Sequence, residues 1–140
     1  MMTIEKCTLA DCAWLAAMNK QLIEDEKHEN PMNVAQLEQR MRGFLAGEYS
    51  AYFFRAEEGI AGYALVKDSA SPKYLRHFFI CRECRRKGYG RAFFGGLMEM
   101  LGEKVIDIEV LCRNETGVRF WESLGFSPRS IYMRYQKEQA

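Results

Sequence analysis

An apolar, aromatic run, Tyr74 to Cys81, ends at a stretch that holds five cations in ten residues, Arg82, Arg85, Arg86, Lys87 and Arg91, in a chain whose formal net charge is only +1. Gly88 and Gly90 interrupt those cations, and Ala92 to Leu101 then takes up a helical pattern. Strand, glycine-bearing basic turn and helix, in that order, build a backbone cradle for phosphate oxygens, because the N–H groups and the positive helix end point at one place. Glycines there lack Cβ atoms, so a ligand can approach the backbone and positive φ angles carry no steric cost. An isolated G-x-G is equally at home in a solvated basic loop, and it is the strand before and the helix after that favour the phosphate site. The stretch is not a G-x-x-x-x-G-K-[ST] loop, and Phe93 stands where G-x-G-x-x-G would place its third glycine.

Around this centre the chain alternates short strands and helices. Thr3 to Cys7 is a strand candidate, and Thr8 with Asp11 forms a capping-box-like start for a helix striped by Cys12, Leu15, Met18 and Leu22. Asn30-Pro31 ends that helix, since the residue before proline is biased out of the α region. Asn33 caps a second helix, striped by Val34, Leu37, Met41, Phe44 and Leu45. Ala51 to Ala56 and Ile60 to Lys67 read as a hairpin turned by Glu57-Glu58-Gly59. After the central strand, turn and helix come an alternating strand at Val105 to Leu111, a helix at Asn114 to Leu124 stopped by Gly125, and a last strand at Ile131 to Gln136. The order β-α-α-β-β-β-α-β-α-β predicts an α/β (α+β) fold, a mixed sheet with helices on both faces, in one domain over 1–140.

Composition narrows the setting. A chain of 140 residues buries roughly 68–70% of the surface its unfolded form exposes, which is enough for one core. The near-neutral net charge removes the domain-wide basic excess expected of a nucleic-acid binder. No apolar run approaches the roughly 20 residues needed to span a bilayer. Five scattered cysteines with no leader ahead of them fit a reducing, cytoplasmic setting. Cys81-x-x-Cys84 has the spacing of a redox pair or half a zinc site, but Arg82 and Glu83 between the cysteines suit the first poorly, and no second ligand pair stands at finger spacing. Free thiols and no metal are expected.

Arg85-x-x-Gly88-x-Gly90 resembles the [QR]-x-x-G-x-[GA] signature of the GNAT superfamily of acyl-CoA-dependent N-acyltransferases. Asn114-x-x-Gly117-x-x-Phe120-Trp121-Glu122-x-x-Gly125-Phe126 is similar to that family's N-x-x-A-x-x-[FL]-Y-E-x-x-G-F segment. The resemblance covers nearly the whole chain and implies a central sheet of about six to seven strands, and acetyl transfer from acetyl-CoA to a primary amine by direct attack in a ternary complex. It further implies a coenzyme A site where the strands at Tyr74 to Cys81 and Val105 to Leu111 splay apart. The amides from Arg86 to Arg91, including those of Gly88, Tyr89 and Gly90, would hold the pyrophosphate, with charge from Arg85, Arg86, Lys87 and Arg91. Main-chain groups of Phe78 and Ile80 would pair with the pantetheine arm, with Asn114 and Phe120 completing the cofactor set.

Transfer needs a neutral amine, a site for developing oxyanion charge and a proton for the leaving thiolate. A lysine-like amine has a pKa of about 10.4, so a base is required. Glu109 and Asp107 on the second cleft strand and His77 on the first are base candidates, each also readable as a surface carboxylate or a satisfied strand histidine. The N–H of Phe78 is the oxyanion candidate, such a donor being worth roughly 2.7–4 kcal/mol. Trp121 occupies the position where the family often carries a tyrosine acid, and an indole N–H only donates hydrogen bonds. That leaves Tyr132 and Tyr135 as acid candidates, or departure of the thiolate unassisted. Glu24, Asp25, Glu26 and His28 cluster at the end of the first helix, which in this family overlies the acceptor site. They are read as a solvated helix end or as the seat of a cationic acceptor, small molecule or peptide. A homodimer is common in such families, and no nucleic-acid or membrane partner is expected. Two rivals stand beside this reading: a member that binds acyl-CoA without catalysis, and a nucleic-acid module gripped by the basic turn, whose affinity would fall steeply with salt.

Overall fold

The computed structural model describes residues 2–138, and the chain divides into two compact units, Met1–Glu109 and Val110–Ala140. In the first unit five strands, β1 (Thr3–Lys6), β2 (Tyr49–Ala56), β3 (Gly59–Lys67), β4 (Lys73–Ile80) and β5 (Ile106–Ile108), form one sheet in the order β1-β2-β3-β4-β5. Pairing is antiparallel from β1 to β4 and parallel between β4 and β5, so the sheet is mixed.

Three helices of this unit are α1 (Cys12–Asp25), α2 (Val34–Ala46) and α3 (Tyr89–Leu101). Thr8 and Asp11 form the expected capping box, closed over a 3-10 turn, Leu9–Asp11, that runs into α1. Asn33 and Gln36 form a second box at the start of α2. Each satisfies two backbone donors that a helix start otherwise leaves open.

Strand alternation sorts the sheet's side chains onto two faces. Phe53, Tyr63, His77 and Phe79 share the face that takes α1 and α2, with the Phe44 ring of α2 edge-on to His77 at 6.3 Å. Ile4, Phe54 and Phe78 share the other, where Phe93 of α3 stacks on Phe54 with centroids 4.6 Å apart. Helices therefore cover both faces, as the pattern predicted. Phe53, Phe54, Tyr63, Phe79 and Phe93 are fully buried, and an apolar side chain so placed contributes about 1.5–3 kcal/mol.

Two expectations about strands are corrected. The sheet has five strands rather than six to seven, because residues 131–138 form no strand; the strand expected over Val105 to Leu111 is shortened to Ile106–Ile108. Ile131, Tyr132, Met133 and Tyr135 are 81–87% exposed. Their β-prone composition expresses a fit to a ladder and a packed face, and without a partner strand it has nothing to stabilise.

The second unit carries α4 (Glu115–Ser123), capped by Asn114, whose side chain accepts from the Gly117 N–H at 3.1 Å. Phe126 closes back on this helix through its N–H to the Trp121 carbonyl, 3.1 Å, and ring contact with Trp121 at 5.1 Å. Gly125 makes that reversal at φ +102°, a conformation that favours glycine.

Candidate active site

β4 sets the geometry. Its ladder with β5 covers only Lys73, Tyr74 and Leu75, so from Arg76 onward the two strands no longer pair. On the other edge the Cys81 N–H donates to the Ala61 carbonyl at 2.7 Å, in register with the Tyr63↔Phe79 and Leu65↔His77 pairs. Alternation then turns the backbone groups of Phe78 and Ile80 away from β3, toward the side that β5 leaves. The Ile80 carbonyl on that side accepts from Arg85 Nε at 2.9 Å.

Beyond β4 a 3-10 turn, Arg82–Cys84, leads into the basic glycine turn. Arg86 at φ +64° and Gly88 at φ +76° both adopt the left-handed conformation, and α3 starts at Tyr89 with no side-chain cap. Left-handed residues just before a helix start gather successive N–H groups into an anion-binding concavity at the positive helix end. A Cβ built on Gly88 would meet nothing within 4 Å, so the cradle opens to free space there. These features fit a pyrophosphate, for which the amides from Arg86 to Arg91 would be the donors.

Three of the five cations around the cradle have carboxylate partners. Arg82 pairs with Asp25 at 2.9 Å and Glu24 at 3.3 Å, Arg85 pairs with Asp25, and Lys87 meets Glu58 at 2.7 Å. Tyr89 also donates to Glu58, at 2.9 Å. Hydrogen bonds from Lys87, from Glu58's own backbone and from Tyr89 lower the Glu58 carboxyl to about 2. Burial raises the pKa of Asp25, but hydrogen bonds from Arg85 and Arg82 outweigh it and the net shift is downward. Glu24 and Asp25 thus serve to hold Arg82 and Arg85. His28 is exposed, and its backbone N–H donates to the Ile23 carbonyl at 3.0 Å.

His77 lies on the α1–α2 face, 9% exposed, sharing a 3.0 Å hydrogen bond between Nδ1 and the Tyr63 hydroxyl. Burial, then the charges of Arg40 and Arg76, push its pKa down to about 3. The imidazole is therefore neutral at neutral pH. Glu109, just past β5, accepts from the Tyr74 hydroxyl at 3.2 Å, and Asp107 lies opposite Tyr74 in the β4–β5 register. Burial, followed by the Glu109 charge, raises the Tyr74 hydroxyl to about 12.

Asn114, Phe120 and Tyr132 belong to the second unit. Asn114 caps α4, Phe120 packs against Trp121 at 4.9 Å, and the exposed Tyr132 hydroxyl accepts from Arg134 at 3.2 Å. All five cysteines are free thiols, and burial raises Cys81 to about 11, which keeps it protonated. Among the described residues no group of three or more His, Cys, Asp or Glu side chains could hold a metal, and no helix is long and apolar enough to cross a membrane.

Sequence reasoning missed Asn19, Arg40, Glu58, Tyr63, Tyr74 and Arg76. Arg76 left a trace, as a charge inside an otherwise apolar strand. Glu58 left none, because its link to Lys87 spans 29 positions and exists only after folding.

Residues 15–132 match the family model of the acetyltransferase (GNAT) domain. No curated protein matches the chain by sequence. Among solved structures, a possible acetyltransferase from Clostridium difficile 630 superposes with a TM-score of 0.78 at 14% identity, covering 100% of this chain and 99% of its own. A predicted acetyltransferase from Clostridium acetobutylicum with acetyl-CoA gives 0.73 at 14% identity, over 97% and 96% of the two chains. An aminoglycoside N-acetyltransferase in complex with CoA gives 0.75 at 14% identity, over 99% and 96%. The chain belongs to the GNAT acetyltransferase family, and its mixed sheet with helices on both faces is the fold of these proteins.

Proposed function

We propose that the protein is a cytoplasmic N-acetyltransferase that uses acetyl-CoA as co-substrate and a primary amine, small molecule or peptide, as acceptor, by direct attack in a ternary complex. The observation that carries this reading is the uncapped start of α3, with left-handed Arg86 and Gly88 before it, next to a β4 edge that β5 leaves after Leu75. Acetyl-CoA, when bound, supplies an acetyl group activated as a thioester.

The chain's own residues do the rest. Amides of the turn bind the pyrophosphate, and the outward backbone of Phe78 and Ile80 orients the arm along β4. The N–H of Phe78 is the donor we assign to negative charge developing on a carbonyl oxygen. Glu109 takes the amine's proton at its carboxylate. The family members bound to acetyl-CoA and CoA support the choice of co-substrate.

Trp121, standing where the resemblance led one to expect tyrosine, favours a second reading, a member that binds acyl-CoA without transferring the acetyl group. Thiol release from acetyl-CoA across an amine panel separates the two. Amine-dependent release coupled to N-acetylated product is expected; acetyl-CoA binding with no release from any amine would establish the second reading.

A further inference from the structure

The sheet face under α1 and α2 holds positive charge and a hydrogen-bond donor that the described residues do not match. Arg76, on β4, and Arg40, on α2, both lie over the Phe44 ring, their guanidinium carbons 5.0 and 5.4 Å from its centroid. Among the described residues neither forms an ion pair, unlike Arg82, Arg85 and Lys87. Among the described residues Arg76 donates only to the Tyr49 hydroxyl, at a long 3.4 Å, and Arg40 to Asn19 Oδ1 at 3.1 Å. Beneath them, Arg40 Nε is a buried donor with no acceptor among the described residues, and Asn19 is 1% exposed. Of the nearby acids, Glu109 is held by the Tyr74 hydroxyl, and Glu26, which like Arg40 acts through space on Tyr63, forms no ion pair with either arginine among the described residues.

Position gives this surplus a use. Arg76 is the first β4 residue past the last rung to β5 and stands two residues before Phe78. It is exposed, while Phe44, Tyr49 and Tyr74 around it are half-buried. An arginine fork backed by a second cation and walled by aromatic rings is built for a planar anion. Partial burial favours a singly charged one, because the cost of desolvation rises steeply with charge.

We propose that the acceptor amine itself carries a carboxylate, which Arg76 holds directly while Arg40, gathered on the same Phe44 ring, adds its charge. The proposal rests on the acetyltransferase reading and specifies its acceptor class.

The test compares thiol release from acetyl-CoA with glycine, β-alanine, 4-aminobutyrate and the common L-amino acids against release with the matching carboxamides. For the amines that turn over, kcat/KM for the acid should exceed that for its amide by about tenfold or more, the range of a charge-assisted contact. Arg76→Gln should close that gap through KM while acetyl-CoA affinity, read by calorimetry, stays the same. Arg76→Lys should keep part of the preference, and Arg76→Glu should reverse it. Amides turning over as well as acids, or a preference that survives Arg76→Gln and Arg76→Glu, would overturn the carboxylate seat and leave the enzyme reading standing. Release with no amine of either kind would overturn both.

Discussion

The environment of His77 makes a pH prediction whose size follows from its geometry. Buried between the sheet and α2, sharing a hydrogen bond with Tyr63 and facing the charges of Arg40 and Arg76, the imidazole titrates at about 3 instead of its ordinary 6.5. A histidine whose folded value is depressed favours the folded state above pH 6.5, and that contribution is lost as pH falls toward the folded value. Between pH 7 and pH 5 the unfolded chain takes up this proton and the folded chain does not, which amounts to about 2 kcal/mol of lost stability. The figure hardly depends on how far below 5 the folded value lies. His77→Gln removes the titration while keeping a hydrogen-bond acceptor for Tyr63. Urea unfolding of both proteins at pH 5, 6 and 7 isolates the effect, since His28 and the carboxylates are common to the two and cancel. The wild type should lose about 2 kcal/mol more than the variant across this range. Parallel pH dependences would refute the argument, because they would mean that His77 titrates normally and is not enclosed as described.

Three further outcomes follow from the same structure. A Cβ at Gly62 would stand 1.9 Å from the Phe79 carbonyl oxygen, so Gly62→Ala should force β3 from β4 and cost about 3 kcal/mol in urea unfolding; an unchanged midpoint would show that the strands do not approach so closely. Because Glu58 competes for Lys87 with any anion in the cradle, Glu58→Gln should tighten acetyl-CoA binding by about two- to fivefold in calorimetry, and weaker binding would place Lys87 outside the site. Glu109→Gln should lower kcat by about 10²- to 10⁴-fold with acetyl-CoA affinity unchanged, and full turnover would remove Glu109 from the role of base.

The parts of this protein that could be read from its sequence are those governed by neighbours in the chain. Capping at Thr8 and Asn33, the hairpin at Glu57-Glu58-Gly59 and the strand, turn and helix around Gly88 depend on residues within a few positions of one another. Ile131 to Gln136 shows the limit of that reasoning. Its alternation is strand-like, but a strand is completed by a partner that local pattern does not specify. Long-range electrostatics were hidden for the same reason: Asp25 reaches Arg85 across 60 positions, and Arg40 meets Arg76 only because α2 packs on the sheet. Of the helix-end acids, Glu24 and Asp25 pair with Arg82 and Arg85 of the basic turn, across 57 to 60 positions that local pattern does not connect.

The cradle at Arg85 to Arg91 is the centre of the functional account, and calorimetric titration of acetyl-CoA into the wild type and Gly88→Val tests it most directly. Gly88 sits at φ +76° facing open space, so a branched side chain there both strains the turn and fills the place of the ligand. With both proteins shown to be folded at the titration temperature, the account predicts one acetyl-CoA site per chain, weakened about tenfold or more by Gly88→Val. Equal affinities for the two proteins, or no binding heat in the wild type, would contradict it.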